Sequence, residues 1–73
     1  MGAVAALLPC CKSSDLQTRR AVAFTLNNIS SNPANHTPCE RLGMIRYLLI
    51  LLQDPDKDTN LQATLAIRRL CEA

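Results

Sequence analysis

The chain contains no tryptophan, one phenylalanine (Phe24), one tyrosine (Tyr47) and only two glycines among its 73 residues. So few aromatic rings leave nothing on which successive bases could stack, and a basic stripe is missing too. Net charge is +2, and cationic side chains are adjacent only at Arg19–Arg20 and Arg68–Arg69. These absences exclude nucleic acid as the expected partner. Two isolated glycines build neither a phosphate-cradling loop nor a dinucleotide fingerprint. The longest apolar run, Tyr47 to Leu52, is far short of the roughly 20 residues a helix needs to cross a bilayer, so no membrane insertion is expected. Met1 to Cys11 is apolar but has no basic segment ahead of it, and Ala6 stands where an acylation signal beginning Met1-Gly2 wants Ser or Thr.

The chemistry of catalysis is equally thin. There is one histidine, His36, and the carboxylates Asp54, Asp56 and Asp58 crowd a single turn, where they are expected to cap a helix. No Ser–His–Asp logic is present, so no enzyme and no cofactor are expected. The four cysteines, Cys10, Cys11, Cys39 and Cys71, lack the CxxC spacing of a closed metal site. They read as free thiols that pack as small hydrophobes in a reducing compartment, the cytoplasm or the nucleus.

What is abundant is aliphatic material: 48% of the residues are hydrophobic, most of them Leu, Ala, Ile and Val. Their arrangement repeats. Gly2, Val4, Leu7, Leu8, Cys11 and Asp15 recur as Gly43, Ile45, Leu48, Leu49, Leu52 and Asp56, at a constant offset of 41 residues. The match continues from Thr18, Val22, Leu26 and Ile29 to Thr59, Ala63, Ile67 and Leu70. Each stretch follows the i, i+3, i+4, i+7 spacing of a helix face. The expected inner stripes are Val4–Leu7–Leu8–Cys11, Val22–Thr25–Leu26–Ile29, Ile45–Leu48–Leu49–Leu52 and Ala63–Ala66–Ile67–Leu70.

The punctuation predicts five helices and no strand. Helices are expected over about Ala3 to Lys12 and about Leu16 to Ser30, separated by the turn and cap Ser13-Ser14-Asp15. Ser31 to Pro38 reads as a loop, and a short helix from Cys39 to Leu42 ends at Gly43. A helix through Leu52 stops at Asp54-Pro55-Asp56, and a last one carries the stripe to Leu70.

A helical period of about 40 residues indicates an α-solenoid. Asn35-His36, Leu42-Gly43-Met44-Ile45, Leu48-Leu49, Leu51-Leu52, Asp56, Ala63, Ala66-Ile67 and Leu70 together resemble one complete armadillo repeat. Gly2 to Ile29 is similar to a second repeat without its short first helix, and Phe24-Thr25-Leu26-Asn27-Asn28-Ile29-Ser30 resembles the family's third-helix signature. Val22 and Thr25 stand where the family usually places Ala, and Leu65 and Arg69 where its ladder-forming members place Trp and Asn. The resemblance implies an all-α solenoid of the armadillo type over 1–73, with a partial repeat at 1–31 and a complete one at 32–73.

It also implies a protein-binding scaffold. In this family the last helix of each unit lines a concave groove, and an asparagine in the place of Asn28 hydrogen-bonds the backbone of an extended partner. The stripe offset from the inner positions is Gln17, Arg20, Phe24 and Asn28, continued by Gln62, Leu65 and Arg69. These seven are the expected peptide-binding residues. The arginines are expected to favour acidic segments. The alternative is a structural section of a longer or self-associating solenoid with no ligand site of its own. Two units are few for such a stack, so marginal stability or self-association is expected.

Overall fold

Helix ends follow local capping chemistry in the computed structural model, which describes residues 2–71. Met1, where an acylation signal would begin, and Glu72 and Ala73 lie outside the described residues. The chain is all-helical, with no strand among those residues. Helix α1 (Gly2–Leu7) leads into a 3₁₀ segment, Leu8–Lys12. Helix α2 spans Leu16–Ser30. A single 3₁₀ turn, Pro33–Asn35, precedes α3 (His36–Arg41), followed by α4 (Met44–Leu52) and α5 (Lys57–Cys71).

The first helix is not continuous to Lys12 as expected. It tightens into 3₁₀ geometry at Leu8 because Pro9 has no N–H to donate and its ring crowds the preceding turn. Asp15 starts α2: its carboxylate accepts from the Thr18 N–H at 3.1 Å and the Thr18 hydroxyl at 2.6 Å. Asp56 starts α5 in the same way, accepting from the N–H and hydroxyl of Thr59 at 3.0 and 2.8 Å. Helix α3 begins three residues earlier than the sequence predicted, at His36, with Pro38 inside its first turn. Gly43 divides α3 from α4 at φ +71, where a side chain would be strained.

The two long helices, α2 and α5, form the most extensive contact; α4 packs beside α5, and the Leu8–Lys12 segment seats against both α2 and α4. Ala23, Ala63 and Ala66 are fully buried on the long helices, where a methyl side chain allows close approach. Around them lie Val4, Leu8, Cys11, Val22, Leu26, Cys39, Met44, Leu48, Leu51 and Leu70. Burying each leucine fully is worth about 1.5–3 kcal/mol. The radius of gyration is 10.8 Å, near the roughly 11 Å of a folded chain of this length.

Two expected stripes are rotated. On α4 the buried line is Met44–Leu48–Leu51, while Ile45 and Leu52 are partly buried and Leu49 is half exposed. On α2 the buried arc is Val22, Ala23, Leu26, Asn27 and Ser30, and Thr25 turns its hydroxyl back to the Ala21 carbonyl at 2.8 Å. A helix apolar on several sides offers more than one stripe, and the neighbouring helix selects among them.

Candidate functional site: the groove between α2 and α5

Where α2 and α5 run side by side, Gln17, Arg20, Ala21, Phe24, Asp58 and Gln62 line an open concavity of about 360 Å³. Four of the seven expected binding residues, Gln17, Arg20, Phe24 and Gln62, are therefore brought together. Phe24 is 56% exposed, a large apolar ring with only part of its surface against the protein. Gln17 is exposed and Gln62 partly buried. Asn28, Leu65 and Arg69 do not line this concavity.

Arg20 does not stand ready for an acidic partner. Its Nε and Nη2 reach the two carboxylate oxygens of Asp56 at 3.0 and 2.7 Å, the bidentate geometry that guanidinium and carboxylate favour. That pair raises the Arg20 pKa, and with the Thr59 N–H and hydroxyl it holds the Asp56 carboxyl well below the usual carboxylate range. One carboxylate thus caps α5 and clamps α2. Arg19 makes a parallel link: its Nε donates to Asp54 at 2.6 Å and its Nη1 to the Ser13 carbonyl at 2.9 Å. Of the three clustered aspartates, only Asp56 caps the helix. Asp54 closes the turn by accepting from the Asp56 N–H, and Asp58 faces the groove.

A polar chain missed by the sequence reading closes the far part of the seam. Asn27, not Asn28, is the buried amide. Its Nδ2 donates to Gln62 Oε1 at 2.7 Å, and its Oδ1 accepts from Arg69 Nε at 3.0 Å. Asn28 is exposed one position away. The sequence signal for Asn27 is its place five and four residues after Val22 and Ala23, on the same arc as Leu26 and Ser30.

His36 and the cysteines form no centre. His36 is buried with Nε2 2.8 Å from the Ser30 carbonyl, joining α3 to the end of α2, and its Nδ1 has no hydrogen-bond partner. Among the described residues no group of three His, Cys, Asp or Glu could hold a metal ion. All four cysteines are unpaired. Burial, and then the neighbouring Cys10, pushes the Cys11 thiol up to about 11; burial also raises Cys39. No helix among the described residues is long and apolar enough to cross a membrane.

Compared with protein-family models, curated proteins and solved structures, the chain matches none.

Proposed function

We propose that the chain is a non-catalytic, protein-binding helical module of the armadillo type, and that the concavity between α2 and α5 holds an extended segment of its partner. The observation that carries this reading is the exposed ring of Phe24 set beside two amide side chains, Gln17 and Gln62, in one groove. Gln17 offers both donor and acceptor to a peptide backbone, Gln62, whose Oε1 accepts from Asn27, offers its amide N–H groups, and the ring supplies an apolar wall. The equal spacing of the two long helices supports a repeat: Leu16 to Lys57 and Ser30 to Cys71 are both 41 residues apart.

The charges alter the expected partner. Acidic side chains would meet Asp58 in the groove and would reach Arg20 only by displacing Asp56. Arg69 likewise has its Nε committed to Asn27. The segment favoured by this lining carries an apolar side chain against Phe24 and no carboxylate beside Asp58. Unpaired thiols support a place in the cytoplasm or nucleus.

Peptides selected from a random library and mapped by NMR test the proposal. Shifts are expected at Gln17, Phe24, Asp58 and Gln62, with Phe24→Ala lowering affinity by roughly tenfold or more, as for a buried aromatic anchor. Shifts confined to the separate concavity at Arg41, Arg46 and Tyr47 would refute it.

A further inference from the structure

The two halves of the chain carry equivalent residues in unequal surroundings. Leu8 is 3% exposed, but its counterpart 41 residues on, Leu49, is 50% exposed. Ala23 and Ser30 are fully buried, whereas Thr64 is only partly buried and Cys71 is exposed. Arg20, clamped to Asp56, corresponds to Leu61, which is 53% exposed. The opposite edge shows the converse. Leu48, Leu51, Thr59, Ala66 and Leu70 are buried, and their counterparts Leu7, Cys10, Thr18, Thr25 and Ile29 are only partly so.

A concavity of about 290 Å³ marks the first of these edges, lined by Asp54, Pro55, Lys57, Asn60, Leu61 and Thr64. Moved back by 41 residues these positions are Ser13, Ser14, Leu16, Arg19, Arg20 and Ala23. There the chain itself supplies the occupant: the Asp54–Asp56 turn and α5 lie on that surface.

We propose that a second copy of this chain occupies the Leu49–Leu61 edge, presenting its Asp15, Ala21, Thr25 and Ile29 face in the register that α5 adopts on α2. The first edge exposes Leu49 and Leu61 among polar side chains, and the face presented to it pairs the small Ala21 and Thr25 with the partly buried Ile29. Continuity with that seam, at the same 41-residue step, selects this occupant. The copy would bring Asp15 over Leu61, where the internal seam has Asp56 against Arg20. The external joint therefore lacks the two ion pairs of the internal one and is weaker. A head-to-tail contact of this kind does not close on itself, so it produces an open series of sizes. This face meets the α2–α5 groove only at Ala21, which lines both.

Sedimentation of the full chain from micromolar to millimolar concentration tests it. Sizes growing beyond the dimer are expected, and Leu49→Glu should weaken association by about tenfold or more, because it buries an unpaired charge. Leu61→Arg is the deciding variant. It restores an arginine opposite the partner copy's Asp15 and should tighten association roughly 1.5- to 5-fold, the range of an exposed ion pair. Asp15→Asn, which keeps a good cap, should cancel that gain. Circular dichroism confirms that each exposed substitution leaves the helices intact. A monomer at every concentration, a single closed dimer, or weakening by Leu61→Arg would overturn the proposal.

Discussion

The halves on either side of residue 32 share the length and the cap chemistry of their long helix, yet they are held differently. Asp15 and Asp56 each start a 15-residue helix through a threonine three positions on. On the first half, Arg19 and Arg20 reach across to Asp54 and Asp56, 35 and 36 residues away. At the corresponding places on the second half stand Asn60, which bonds back to the Leu52 carbonyl, and Leu61, which is exposed. The difference teaches that the repeated pattern makes the helices, while the pairing of the halves depends on residues that do not repeat.

Truncation of equivalent core positions should separate the two halves most. Leu26 is fully buried, and Leu26→Ala should cost about 2–5 kcal/mol in chemical denaturation. Its counterpart Ile67 is only partly buried, and Ile67→Ala should cost less than half as much. Equal losses would mean that the second half is covered as fully as the first.

The cross-half links come next. Arg19 donates both to Asp54 and to the Ser13 carbonyl, so Arg19→Ala should lower stability by about 1.5–3 kcal/mol. Asn60→Ala removes a neutral bond and should cost about 0.5–1.5 kcal/mol. The same denaturation curves check both, and reversal of the order would place the main fastening within the halves rather than between them.

Acid should act on both caps, but unequally. Asp15 is lowered by the Thr18 hydroxyl and N–H; Asp56 is lowered chiefly by Arg20 and then by Thr59. Both folded values lie below the unfolded one, so their stabilisation is present above the ordinary carboxylate range near pH ~4 and is lost as pH falls through the folded values. Thermal melts from about pH 7 to about pH 2 should show this decline, with Asp56→Asn, which removes the more strongly lowered carboxyl, flattening it more and to lower pH than Asp15→Asn.

The smallest effect is on reactivity without loss of fold. Cys71 is exposed, whereas Cys11 is buried with its pKa pushed up to about 11. At mildly alkaline pH an alkylating reagent should label Cys71 first, and Cys11 and Cys39 only as the protein unfolds. Mass spectrometry of a time course decides the order.

All-helical structure, the ends of the long helices and four groove residues were legible in the sequence. Capping explains the first two. Asp15 and Asp56 meet partners three residues away, Gly43 needs only its own φ, and such short-range chemistry is written in neighbouring letters. Helical spacing sets seven residues apart from the inner stripes, and Gln17, Arg20, Phe24 and Gln62 line the groove while Asn28, Leu65 and Arg69 do not. Tertiary structure alone decided which apolar line of α4 is inside, Met44–Leu48–Leu51 and not Ile45–Leu49–Leu52, since both satisfy a helical period. It also decided that Arg20 is clamped by Asp56 and that Asn27 rather than Asn28 faces α5. Burial and pairing of this kind depend on a surface brought in from some 35 residues along the chain, which local spacing does not encode.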